Sequence, residues 1–83
     1  MFNLIYTQRS IRDLRKLEGP TKLRIGKALL RFRENPLDYA EKITDPTLGS
    51  YRFRIGDYRV IFDLEGDEIV ILRVGHRREI YRR

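Results

Sequence analysis

The chain of 83 residues has no cysteine, no tryptophan, a single histidine and a single methionine. Without thiols there is no disulfide, no thiol nucleophile and no thiolate metal site, and the absence suits a reducing compartment. One histidine without cysteine leaves zinc short of ligands. The twelve carboxylates are scattered, so paired-carboxylate hydrolysis and carboxylate-rich metal sites find no support. No apolar run approaches the roughly 18 residues of a membrane span, and no long apolar segment opens the sequence. Gly-rich phosphate loops and Ser-His-Asp constellations are missing as well. These absences lead to the expectation of a soluble, cytoplasmic protein with no metal and no cofactor, folded as one domain over residues 1–83 around one modest core.

What is present is positive charge. Eighteen cations against twelve acids leave a net +6, and only Lys16, Lys22, Lys27 and Lys42 are lysine. A surplus of this size favours a polyanionic partner through steering and counterion release. The preference for arginine adds geometry, because a guanidinium grips phosphate or carboxylate bidentately and stacks on bases. Arginines that only decorate a solvated surface, or pair with the chain's own acids, are the plain alternative.

The run Tyr51-Arg52-Phe53-Arg54-Ile55-Gly56-Asp57-Tyr58-Arg59-Val60-Ile61-Phe62 alternates strictly. Gly56-Asp57 suits a two-residue type II′ turn, which fixes the register of a hairpin. Ile55 then faces Tyr58, Arg54 faces Arg59, Phe53 faces Val60 and Arg52 faces Ile61. Opposed like charges cost a strand pair roughly 0.2–1 kcal/mol, so an anion is expected between Arg54 and Arg59.

Around this hairpin the pattern predicts an α+β domain of order β-α-α-β-β-β, with two N-terminal helices packed on one face of a small, mainly antiparallel sheet. Phe2 to Tyr6 reads as a strand. Thr7 caps a helix to about Glu18 that turns Ile11, Leu14 and Leu17 inward. A second helix from Pro20 to Glu34 carries two apolar stripes, Ile25/Ala28/Leu29/Phe32 and Leu23/Gly26/Leu30, one for the sheet and one for a neighbouring helix. Residues 37–49 lack a clean period and read as a connecting loop anchored by Ile43 and Leu48, with Asp45-Pro46 as a turn signal. Glu65-Gly66-Asp67-Glu68 closes a second hairpin onto the run 69–74, whose two apolar faces mark an interior strand, whereas the arginine hairpin is covered mainly on one side.

That interior strand ends in Val74-Gly75-His76-Arg77-Arg78-Glu79-Ile80-Tyr81-Arg82-Arg83. A strand end that gathers the only histidine, four arginines and a tyrosine is a plausible place for a site, and it meets the hairpin arginines on one sheet. His76 as a polar surface group, Tyr81 as a lid on the core and Arg73 as the partner of an acid remain open alternatives.

These two segments together resemble the RelE/ParE toxin superfamily, small toxins of type II toxin–antitoxin systems, and the resemblance covers nearly the whole chain. It implies a RelE-like fold of microbial-ribonuclease type. It also implies a ribosome-dependent, metal-independent endoribonuclease that cuts mRNA in the A site, contacts ribosomal RNA there, and is silenced by a cognate antitoxin. Arg52, Arg54, Arg59, Arg77 and Tyr81 match functional positions of the RelE branch. His76 falls where that branch often carries another basic residue, and arginines replace lysines at 52 and 54. On this basis Arg54, Arg59 and Arg77 are expected to clamp the reacting phosphate, Tyr81 to stack on or orient a base, and His76 to act as the proton-transfer group. Arg52, Arg78, Arg82 and Arg83 are expected to bind neighbouring RNA. The alternatives are a ParE-like, non-enzymatic inhibitor of DNA gyrase and an inactive remnant that binds only its antitoxin.

Overall fold

The computed structural model describes residues 1–45 and 47–81, so Pro46 of the expected turn, and Arg82 and Arg83 of the expected RNA-binding set, lie outside the described residues. Strand β1 (Asn3–Tyr6) leads into α1 (Gln8–Arg15) and α2 (Gly19–Phe32). A 3-10 turn (Pro36–Asp38) and a short β2 (Ala40–Lys42) precede β3 (Tyr51–Ile55), β4 (Tyr58–Glu65), β5 (Glu68–His76) and a final turn of helix, α3 (Arg77–Ile80). One sheet of order β1-β5-β4-β3-β2 results, antiparallel except where β1 runs parallel to β5. The α+β expectation and its order therefore stand, with one strand, one 3-10 turn and one final helical turn added.

The hairpin register matches the expected one at every pair, with Arg54 opposite Arg59. Gly56 takes φ of +60° and no described non-glycine residue has positive φ, which fits the type II′ turn. The reading of 37–49 as loop needs correction, because Ala40, Glu41 and Lys42 pair with Phe53, Arg52 and Tyr51. Three residues of low strand propensity are held there by a ladder that β3 supplies.

Helix α2 has Pro20 as its second residue, where the missing N–H has no intrahelical role, and it buries Ile25, Ala28, Leu29 and Phe32 against the sheet. Phe53 stacks on Phe62 at 4.2 Å and meets Phe32 at 4.8 Å, so the aromatics of β3, β4 and α2 form the middle of the core. Each such side chain contributes roughly 1.5–3 kcal/mol by leaving water. Reciprocal bonds between Phe2 and Arg33, from the Phe2 N–H to the Arg33 carbonyl and from Arg33 Nε to the Phe2 carbonyl, tie the start of β1 to the end of α2. The second stripe of α2 finds no such cover: Leu23 and Leu30 are exposed.

Helix α1 also departs from its expected packing. Ile11 is exposed, and the buried positions are Ser10 and Asp13. The cause is the placement of the helix alongside β5 where β1 has ended at the level of Ile71. There Thr7 donates from its N–H and its hydroxyl to the Ile71 carbonyl, while its oxygen caps the Ser10 N–H. Asp13 accepts from the Val74 N–H and from Arg73, the acid partner that one reading of Arg73 called for. Thr7 and Asp13 turn inward because they finish the ladder of a strand edge, and Ser10 is satisfied by donating to the Thr7 carbonyl.

A bulge between β4 and β5 makes Leu72 the extra residue, since Ile61 pairs with Arg73 and Phe62 with Ile71. β5 is interior, as expected. β4, however, is buried on both sides from Arg59 to Phe62, contrary to one-sided cover. Two segments cover its outer face. Ile80 of α3 sits over Gly75, and Gly49 presses its backbone onto Ile61 and Leu72, where a β-carbon would lie 2.8 and 2.9 Å from those side chains.

Candidate nucleic-acid interface

On the outer face of the sheet Arg54 and Arg59 are cross-strand partners, and the two diverge. Arg59 is buried, 5% exposed, and folds its Nη1 back onto the carbonyls of Gly56 and Tyr58 at 2.9 Å each. It braces the turn from beneath. Arg54 remains more than half exposed and leans towards Glu41, 3.8 Å from its Nε. The anion expected between opposed arginines is thus supplied in part by the chain itself.

Glu41 is the residue that sequence reasoning missed. Its Oε1 also accepts from Arg52 Nε at 3.2 Å, so one carboxylate oxygen holds two guanidinium groups. It faces Arg52 because β2 pairs these two residues directly, and the only sequence signal would have been an acid within a strand that the pattern did not reveal. Arg52 extends its other end to Tyr81, donating from Nη1 to the phenol oxygen at 3.0 Å with its Cζ 5.7 Å from the ring centre. Burial works against the charge of Arg52, but the hydrogen bonds to Glu41 and Tyr81 outweigh it and raise its pKa above the ordinary arginine value. Arg52 is a permanent cation held in one pose.

Helix α3 carries the remaining candidates. The Arg77 N–H donates to the Asp57 carbonyl at 2.7 Å and docks the start of the helix on the hairpin turn, with the Arg77 guanidinium half exposed and 3.8 Å from the Asp57 carboxylate. An exposed pair at that distance holds Arg77 weakly. Ile80 anchors the helix on Gly75, the neighbour of Arg59 across the strands, and Tyr81 reaches Arg52. Arg78 is exposed. His76 is placed differently. It pairs with Tyr58, meets that ring edge-on at 5.6 Å on the helix-bearing side, and its Nδ1 accepts from the Arg78 N–H as the cap of α3.

The structure therefore brings Arg52, Arg54 and Tyr81 together around Glu41, sets Arg59 under the turn and Arg77 at its tip, and turns His76 to the other side of β5. Such an arrangement offers buried and exposed cations, one aromatic face and one carboxylate. It can bind a phosphodiester, stack a base and take up a proton. Among the described residues no cluster of His, Cys, Asp and Glu could hold a metal ion. No helix among them is long and apolar enough to cross a membrane.

Comparison with known proteins places these features in context. The family model described as the ParE toxin of the type II toxin–antitoxin system, parDE, matches residues 4–81. Toxin RelG of Mycobacterium tuberculosis is 32% identical over 89 aligned positions that cover 99% of this chain and 98% of the relative. Toxin RelE3 of Methanocaldococcus jannaschii is 28% identical, covering 94% and 93%. Among solved structures, the toxin–antitoxin complex RelBE2 of M. tuberculosis superposes with a TM-score of 0.83 at 25% identity, over 92% of this chain and 98% of that one. The RelB–RelE antitoxin–toxin complex of Methanococcus jannaschii gives 0.73 at 28%, over 93% and 94%.

Proposed function

The chain belongs to the ParE toxin family of type II toxin–antitoxin systems, and we propose that it is a RelE-type member, an endoribonuclease that cuts mRNA in the ribosomal A site in the cytoplasm. The observation that carries this reading is the group formed by Arg52, Arg54 and Tyr81 around Glu41, with Arg59 opposite Arg54. Attack of a ribose 2′-OH on its own phosphate gathers negative charge on oxygens outside the line of displacement. Guanidinium groups aimed there, in a site that the ribosome closes to water, are worth several kcal/mol.

In this mechanism Arg54 and Arg77, the more exposed of the site cations, hold the reacting phosphate, and Arg59 keeps the turn between them in shape. Arg52 holds an adjacent phosphate and presents Tyr81, whose ring stacks on a base. Arginine cannot give up its proton near neutrality, so the 2′-OH proton needs another acceptor. Glu41 is the carboxylate placed within the cluster, and it takes that role. His76, on the helix-bearing side of β5 with Nδ1 accepting as a helix cap, holds α3 in place and has no proton to give, so the leaving 5′ oxygen takes its proton from water. The partners are message and ribosomal RNA, together with a cognate antitoxin of the kind bound in the RelBE2 and RelB–RelE complexes.

The family model's ParE description favours a second reading, a non-enzymatic block of DNA gyrase. Induction of the protein followed by primer extension on a translated message separates the two. Discrete cuts inside codons are expected. Intact messages accompanied by DNA damage would replace the nuclease reading with the gyrase one.

A further inference from the structure

Away from Glu41, on the helix-bearing side of the hairpin, a cavity of about 360 Å³ opens between α2 and β3. Its rim carries four cations, Arg24, Lys27, Arg31 and Arg54, and its lining has no carboxylate. Arg24, Lys27 and Arg31 follow the spacing i, i+3, i+7, which stacks them as one stripe about 10 Å long on α2, beside the face that packs on the sheet. Among the described residues none of these three has an ion-pair partner, in contrast to Arg52, Arg54, Arg73 and Arg77.

The cavity is built rather than incidental. The Arg24 guanidinium lies against the α-carbon of Gly56, where an added methyl would come within 2.8 Å of Nη2, so the turn glycine admits it. The Arg31 guanidinium sits 5.3 Å from the centre of the Phe32 ring, which fixes the far end of the stripe. Because β2 pairs with β3 only from Tyr51 to Phe53, the edge at Arg54 and Ile55 has no neighbouring strand and faces the opening. Four like charges held around one hollow raise their own energy unless an anion joins them.

We propose that this cavity is a track for the phosphodiester backbone of single-stranded RNA, which runs from Arg54 at the cleavage site onto the stripe of α2. The proposal rests on the RNA-cleaving reading of the outer face. It assigns Arg24, Lys27 and Arg31 to phosphates flanking the cut and gives them no part in the chemistry. A strand crossing the hairpin edge at Arg54 is then gripped on both sides of the sheet.

The test is binding of a short 2′-O-methyl RNA strand, which lacks the attacking hydroxyl, to the whole protein at several salt concentrations. Each phosphate neutralised contributes about 0.7 to the slope of log affinity against log salt. The variant R24Q/K27Q/R31Q should therefore lose about 2 units of slope and bind the strand at least tenfold more weakly in about 50 mM salt. R24K/R31K keeps the charges and should keep the slope, and circular dichroism of both variants checks the fold. An unchanged slope in the folded glutamine variant, tighter binding of duplex DNA than of RNA, or displacement of the strand by equimolar ATP would each overturn the track. Failure of the functional reading is distinct: wild-type protein would then leave translated messages uncut, whatever the oligonucleotide does.

Discussion

Asp13 and Arg73 form an ion pair with 2.8 Å between Oδ2 and Nε, and the same carboxylate oxygen takes the Val74 N–H at 3.0 Å. A helix and the interior strand are locked by one buried atom. Asp13→Ala leaves the Val74 N–H without an acceptor and Arg73 without its partner, which should cost about 2–3 kcal/mol. Asp13→Asn keeps an acceptor and should recover part of the loss. Urea unfolding, with the midpoint shifted and the slope unchanged, is the check.

Arg59 and Arg77 should separate on mutation. Arg59→Ala frees two turn carbonyls from a buried donor, so it should reduce stability by about 1–3 kcal/mol as well as abolish toxicity. Arg77→Ala removes an exposed side chain and should abolish toxicity at nearly unchanged stability. Growth after induction, read beside a denaturation curve, decides. A stable and fully toxic Arg77→Ala protein removes that residue from the mechanism.

Glu41→Gln keeps the shape of the group while removing its negative charge. RNA should bind more tightly, because two arginines lose their internal counterion, whereas cleavage on ribosomes should fall by about 10²–10⁴. A variant that cleaves at the wild-type rate would reduce Glu41 to a holder of Arg52.

Tyr6 provides a pH signature. Burial raises its pKa above 10, and the nearby Arg33 offsets only part of that. A raised folded value means that the neutral phenol is favoured in the native state, so this contribution is complete below the unfolded value and fades as pH climbs through the folded one. Wild-type protein should lose more stability than Tyr6→Phe as pH rises past about 10, and the two should have parallel profiles well below that. Equal slopes throughout would assign the alkaline loss to other tyrosines.

Gly49 has φ of +149° and touches Ile61 and Leu72, so Gly49→Ala meets both strain and a clash. A cost of about 1–3 kcal/mol is expected, measured as a drop in thermal midpoint.

The arginine hairpin was legible in full because alternation and a turn glycine fix register without help from the rest of the chain. The first face of α2 was legible for a similar reason, its 3.6-residue period. Glu41 was not. A three-residue strand of Ala, Glu and Lys has no period to read, and it exists because β3 offers an edge. Ser10 and Asp13 hid for the opposite reason: they are polar residues on a buried helix face, Asp13 held there by hydrogen bonds to β5 and Ser10 by bonds to Thr7, which itself donates to the Ile71 carbonyl. The division between His76 and the arginines followed from strand parity, since His76 pairs with Tyr58 and its neighbour Gly75 with Arg59.

The parallel seam between β1 and β5 joins residues 65 positions apart, such as Asn3 and Glu68. While the protein is being synthesised, β1 and the cap at Thr7 have nothing to rest on until the segment carrying β5 has left the ribosome. The arginine hairpin can close earlier, yet the platform beneath it is unfinished. The surface proposed to bind RNA is therefore assembled only once the last strand is in place.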